Sequence, residues 1–455
     1  MDDTKKTGVI APKILIPNNK VNLKKWAVVA CDQFTSDPGY WEEVERTVGG
    51  NPSTLHIILP EVFLNAPDVQ DRIDHTKTVM STYLEDNIFV KLPRGIILTE
   101  RLVDGKTRRG LVMAVDLEEY DFDVDKKPLI RATEETLLER IPPRVEIRKG
   151  AMIETPHVML LIDDPKDTVL HAFANRENEL TRIYSTDLML GGGRVTGYFT
   201  ESQAILDDVE DALLKLKRHD EMLMAVGDGN HSLATAKTVW DEAKKKLSKK
   251  EREDHPLRYA LTEIVNLYDE GLTFEPIHRV LFNVEPGGCL VELVNILNEK
   301  DMEASLMFTS SNTKKVTADK KGHTLVFEGK DRKGKIIVKK PKHVLEAGTL
   351  QEALDEYLKR NERVSIDYIH GEKAFQKITD THDCLGFRLS AIEKKELFKT
   401  IGKCGVLPRK TFSMGEPQEK RYYIEARLLM DIAEEKTAAD DADTKTEKKT
   451  PDKKA

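Results

Sequence analysis

The residues best suited to chemistry lie in the run Gly227-Asp228-Gly229-Asn230-His231-Ser232. It follows the apolar stretch 222–226, which reads as a strand. It precedes a helical stripe of Leu233, Ala236 and Trp240. Two glycines permit positive φ and close backbone approach. The free amides at a helix start, with the helix dipole, make an anion site. Ser232 is placed to cap that helix. Asp228 can hold a magnesium ion or accept a proton, and His231 can stabilise a transferring phosphoryl group or orient a substrate. The same spacing also describes an ordinary strand–turn–helix corner in which Asp228 bonds its own turn. The residues alone leave both readings open.

Other local patterns carry less. Gly191-Gly192-Gly193-Arg194 lacks the spacing of a P-loop, the histidines form no H-E-x-x-H pair, and no serine sits in a G-x-S-x-G elbow. Asp163-Asp164 can ligate magnesium, but Asp before Pro165 also ends a strand in a turn. Cys31, Cys289, Cys384 and Cys404 form no C-x-x-C pair. That pattern argues against a cysteine-based zinc site or a disulfide framework and fits reduced thiols in a cytoplasm.

The elements that must position the turn alternate between strand-like and helix-like. Residues 26–30, 57–60, 95–99, 110–116 and 157–162 read as strands. Thr133 is expected to open a helix that ends before Pro142-Pro143. Residues 202–218 read as a helix with Ile205, Val209, Leu213 and Leu216 on one face and acidic first turns. Residues 241–254 are almost wholly charged, as a solvated helical excursion would be. Residues 305–341 alternate as an antiparallel meander, and residues 364–368 form a further strand. The fold expected is mixed α/β, or α+β. Residues 7–290 form a main α/β domain carrying the turn, and residues 291–430 a C-terminal α+β region. Residues 1–6 and the charged tail 434–455 are expected to be disordered.

Composition bounds the function. The 455 residues include 71 basic and 79 acidic side chains, a net charge of -8, with 33% charged and 6% aromatic residues. Neither a basic stripe nor a stacking platform for nucleic acid is suggested. No apolar run approaches the ~20 residues that span a bilayer, and the polar residues 1–6 precede no secretory h-region.

Several segments, in one order, resemble the family known as domain of unknown function 1015. They are Ile130-Arg131-Ala132-Thr133-Glu134 with Ile141-Pro142-Pro143-Arg144, Thr155-Pro156-His157 with Ile162-Asp163-Asp164-Pro165, and the central turn with Leu233-Ala234-Thr235-Ala236. Phe274-Glu275-Pro276-Ile277-His278-Arg279, residues 364–371 and residues 405–415 complete the set. The central turn is similar to the Asp-Gly-His-His-Arg signature of the ParB/sulfiredoxin-like superfamily, which includes free-serine kinases. The resemblance implies a ParB-like strand–turn–helix core in which the turn binds nucleotide phosphates.

Asp228, Gly229 and His231 match that signature. Asn230 replaces its first histidine and Ser232 its arginine, which removes a fixed charge and a bidentate phosphate fork. Either another base supplies the charge or the ligand differs. His278, Arg279 and Lys410 are the candidate substitutes, each equally readable as part of a turn or loop. Arg144 is held stiffly by the prolines before it, or pairs with Glu146 or Glu154. Asp32 resembles the family's N-terminal aspartate, where it would serve as a general base; the bland alternative is a turn carboxylate.

The function implied is a nucleotide-dependent phosphotransferase acting on a hydroxyl of a small metabolite, with ATP or another nucleotide and Mg as cofactors. Gly227, Gly229, Asn230 and Ser232 would cradle phosphate, and Asp228, His231 and Asp32 would carry the chemistry. The alternative is a nucleotide- or metabolite-binding regulatory protein without turnover, which Ser232 favours. In both cases the partners are small molecules, with no membrane and no nucleic acid.

Overall fold

A computed structural model describes residues 6–309, 322–330, 332–408 and 410–430. The tail 434–455 and all but Lys6 of the N-terminal stretch lie outside the described residues. The architecture is mixed α/β, built on two large sheets.

The first sheet runs Thr181–Asp187, Arg194–Thr200, Ile96–Val103, Lys106–Asp116, Tyr259–Asn266, Met159–Ile162, Met224–Asp228, Ile130–Ala132, Tyr120–Asp121, with Val9–Ile10 beside Lys106–Asp116. Most neighbours are antiparallel. Met224–Asp228 instead runs parallel to Ile130–Ala132 and antiparallel to Met159–Ile162. Alternation along the strands separates two cores. Leu111, Leu160 and Val226 face helices Gln203–Lys215 and Asn230–Ala243. Val112 and Leu261 face Trp41, Val28 and Tyr423 on the other side.

Local chemistry changed three expected elements. Asn22 caps a one-turn helix, Leu23–Trp26, so residues 27–30 are a buried extended segment with a single bridge, Val29 to Tyr422. Ser53 caps the 3-10 turn Thr54–Ile57, which takes up the start of the strand expected at 57–60, and residues 58–60 leave it outside any sheet. Pro142 and Pro143 open the helix Ile141–Arg148 instead of ending one, because a helix's first turn tolerates the missing N–H.

The second sheet runs Ala304–Phe308, Arg332–Val338, His323–Gly329, Cys384–Arg388, Phe274–Phe282, Ser365–His370, with Phe412–Met414 on Phe274–Phe282. It begins at Phe274 and takes its last strand from Phe412–Met414. The residues after it return to the first sheet. Ala30 N–H donates to Arg421 O at 2.9 Å and Tyr423 N–H to Val28 O at 2.9 Å. Arg427–Leu428 pairs with Ile153–Glu154. The return is held by charge as well as apolar burial: Arg421 bridges Glu263 and Glu425, and Arg427 bonds Glu154 at 2.7 Å. Such buried cations are found paired, as their desolvation requires.

No helix among the described residues is long and apolar enough to cross a membrane.

Candidate functional site

The strand Met224–Asp228 delivers the turn into a cavity of about 1180 Å³ lined by residues of both sheets. Thr133 Oγ1 donates to Val226 O at 2.7 Å and fixes the strand end. Gly227 is a packing glycine: a Cβ there would come within 2.7 Å of Met414 Cε and 2.9 Å of Leu161 Cγ. Gly229 is the N-cap of helix Asn230–Ala243, with φ 80 and no side-chain cap. The expected cap, Ser232, is the helix's third residue, because the chain already turns helical at Asn230. The amides of Asn230, His231 and Ser232 are therefore left to the cavity, which all three residues line.

Two carboxylates flank one ammonium there. Lys420 Nζ lies 3.3 Å from Asp228 Oδ2, and both side chains are nearly buried. Asp228 Oδ2 makes no hydrogen bond of ordinary geometry. Burial pushes its pKa up; Lys420 and His157 oppose this, and Asp32 adds to it. Asp32 accepts a bond from Gln33 Nε2 at 2.9 Å and has His157 Nε2 at 3.9 Å. Burial would raise this carboxyl, but His157, Gln33 and Lys420 outweigh it and hold Asp32 below the usual carboxylate range. Two neighbouring carboxyls thus titrate in opposite directions, the pattern expected of groups with separate acid–base roles.

His157 is fixed from behind. Tyr423 Oη lies 2.7 Å from His157 Nδ1 and accepts the Cys31 N–H at 3.0 Å. Tyr423 Oη and His157 Nδ1 thus share one hydrogen bond, and the ring's Nε2 is turned toward Asp32.

His231 also lines the cavity. Burial, then Arg144 and Arg140, bring its pKa down to about 4. Leu137 N–H donates to its Nε2 at 3.3 Å, so the ring is a neutral acceptor at neutral pH. Arg144 lines the cavity but pairs with Glu61, at 2.7 Å from Nε, and not with Glu146 or Glu154. Glu154 is taken by Arg148 and Arg427. Lys410 also lines the cavity, with φ 57, beside Glu134, whose carboxylate accepts the Thr411 N–H at 3.2 Å.

His278 and Arg279 do not line the cavity; both are fully buried in the second sheet. His278 Nδ1 accepts the Leu389 N–H at 3.2 Å and its ring packs on Phe375. Arg279 Nε donates to Gln351 Oε1 at 3.0 Å. Strand alternation sends the two side chains to opposite faces of the sheet, His278 onto Phe375 and Arg279 onto Gln351 and Tyr368, so neither takes the charge-neutralising place expected of it.

Sequence reasoning gave no role to His157, Tyr423 or Lys420, and Lys420 is the most consequential of them. It follows the Gly405–Gly415 stretch in Lys420-Arg421-Tyr422-Tyr423-Ile424, where two cations open an otherwise apolar and aromatic run and are buried with it. Such a charge within a buried segment was the available signal. No group of three or more His, Cys, Asp or Glu side chains fit for a metal occurs among the described residues. One or two carboxylates are nonetheless what magnesium takes from a protein when phosphate oxygens and water complete its shell. Asp228 Oδ2, which faces Lys420 without a hydrogen bond of ordinary geometry, fits that role.

Comparison with known proteins gives the following. A mutant free serine kinase in complex with AMP is similar to this chain at 12% identity and TM-score 0.40, covering 69% of this chain and 90% of that one. The same enzyme with ADP gives 12% identity and TM-score 0.39 over 69% and 91%. SbnI with C-terminal truncation from Staphylococcus aureus gives 8% identity and TM-score 0.36 over 74% and 97%. No curated protein matches. The profile of a family described as protein of unknown function (DUF1015) matches residues 13–357.

Proposed function

We propose, from the premise that this chain belongs to the DUF1015 family, that it is a nucleotide-dependent phosphotransferase acting on a hydroxyl of a small metabolite. The observation that carries this reading is the placement of Asp32, Lys420 and Asp228 before an uncapped helix N-terminus in one large cavity. Lys420 and the amides of Asn230, His231 and Ser232 face the phosphates. Lys420 thereby stands in for the charge that Ser232 does not provide. Asp32, kept ionised, accepts the proton of the hydroxyl as the phosphoryl group is transferred. Asp228 would hold Mg, which when bound neutralises phosphate charge; the nucleotide would be ATP or a relative. The barrier is lowered by position and charge more than by covalent participation of the protein. The test is incubation with labelled ATP, magnesium and a pool of hydroxylated metabolites. A phosphorylated metabolite that disappears with Asp32→Asn supports the reading.

A second reading, a nucleotide- or metabolite-binding regulatory protein, is favoured by one observation. His231 is neutral near pH 7 and Ser232 carries no charge, so the turn itself offers no cation to a transferring group. Nucleotide binding without any phosphorylated product would establish that reading over the first.

A further inference from the structure

The wall of the cavity farther along the chain carries a different chemistry. Ile277, Ile366, Tyr368 and Phe412 line it, all contributed by strands of the second sheet. On this face Arg279 and Tyr368 are register partners across the Phe274–Phe282 and Ser365–His370 pair. The buried Arg279 guanidinium lies over one side of the Tyr368 ring, 4.8 Å from its centroid. Gln351 bonds both: its Oε1 accepts Arg279 Nε at 3.0 Å, and its Nε2 lies 3.2 Å from Tyr368 Oη. A second bond from Gln351 Nε2 to Asp355 Oδ1 at 2.8 Å anchors the amide to its own helix. The ring is thus fixed in angle, and a cation occupies one of its faces.

We propose that Tyr368 is the stacking platform for the base of a bound purine nucleotide, with Arg279 acting through the ring as a positioning residue. A cation behind one face polarises the ring and leaves the other to a planar heteroaromatic guest. Ile277, Ile366 and Phe412 provide the apolar border that such a base needs, while the uncapped helix and Lys420 occupy another part of the same cavity. One ligand with an anionic end and a planar apolar end satisfies both walls, and about 1180 Å³ is ample for it and an acceptor. The inference rests on the phosphate reading above for the other end of the ligand. It also gives the fully buried Arg279 a purpose that direct phosphate contact could not.

The two ends are separable by experiment. Adenosine, tripolyphosphate and ATP are titrated into the full chain and into Tyr368→Leu and Tyr368→Phe. Stacking on an aromatic side chain is worth ~1–3 kcal/mol, so Tyr368→Leu is expected to weaken adenosine and ATP about tenfold or more. Tripolyphosphate affinity should be the same in all three proteins, which also reports that the fold is intact. Tyr368→Phe, which keeps the ring, should stay within about threefold of the parent. An adenosine affinity indifferent to Tyr368→Leu, or no adenosine binding by the parent chain, overturns the platform. Failure of tripolyphosphate alone to bind counts against the phosphate site and leaves the platform standing.

Discussion

Lys420 and Asp228 are 192 positions apart in the chain, yet their charged ends stand 3.3 Å apart on the floor of one cavity. The pair exists because residues 420–429 turn back from the second sheet and pack on the first. Arg421 and Arg427, each bound to buried carboxylates, hold that return in register. A lysine in this position compensates a carboxylate the turn would otherwise bury alone, and its ammonium remains available to an anion.

Replacing Lys420 by Met keeps volume and removes charge. Loss of one partner of a buried ion pair costs about 3–5 kcal/mol when the other stays charged. Asp228 has an easier course, since burial already biases it toward protonation. The expected destabilisation is therefore smaller, about 1–2 kcal/mol, by the ordinary price of a lost buried polar contact. Tripolyphosphate affinity should fall about tenfold or more. Urea unfolding and calorimetric titration measure the two effects, and an unaltered affinity would remove Lys420 from the site.

Asp32 and Asp228 should separate in function. Asp32→Asn is expected to lower turnover by about 10²-fold or more, the usual scale for a general base, while ATP affinity changes little. Asp228→Asn should abolish turnover and leave the fold intact, because the amide keeps the side chain's shape and burial already disfavours the charge it removes. Single-turnover assays beside nucleotide binding distinguish the two. Unchanged activity in Asp228→Asn would strike that residue from the mechanism.

The turn was readable from sequence because its signals are local: apolar strand, two glycines, amphipathic helix. The mixed α/β class followed from the same alternation. Lys420, His157 and Tyr423 were not assigned roles because their meaning depends on a long-range return that no local period encodes. Arg279 misled for a related reason: the partners that take its guanidinium, Gln351 and Tyr368, lie more than 70 positions away in the chain. Neighbours only a few residues away made Ser232 look like a cap, whereas Gly229, able to take φ 80, starts the helix earlier. Pro142 and Pro143 were read as a helix stop, although proline is equally at home in the first turn.

The stability of the chain should carry a mark of His231. Its folded pKa, about 4, lies below its ordinary value of 6.5. Protonation therefore favours the unfolded chain. The contribution is complete above pH ~6.5 and is lost as pH falls toward ~4. Allowing for solvent screening of a half-buried ring, the loss is about 1 kcal/mol. A His231→Gln variant should show a correspondingly shallower fall in stability between those pH values in chemical unfolding. A bound polyanion should reduce the parent's loss, because negative charge near the imidazole raises its pKa. Parallel pH profiles of parent and variant would mean that the ring is not desolvated as described.

Gly227 should be intolerant of alanine for a reason of packing, not of backbone conformation. Its φ is not among the positive ones, but an added Cβ would stand 2.7 Å from both Met414 Sδ and Cε and 2.9 Å from Leu161 Cγ. Overpacking of a full core costs ~1–3 kcal/mol, and Met414 is the flexible side of this contact. Gly227→Ala alone is expected to lose stability in that range. Pairing it with Met414→Ala should cost less than the sum of the two single changes, because each relieves the other's defect. Gly229→Ala is the control: it is strained by its φ of 80, and a Cβ would also meet Val158 Cα at 3.1 Å. Trimming Met414 cannot relieve that. A double-mutant cycle by urea unfolding reads the coupling directly. Strict additivity of Gly227→Ala with Met414→Ala would mean that the turn is not braced by the second sheet, and the cavity floor would then lack the support that fixes Asp228 beside Lys420.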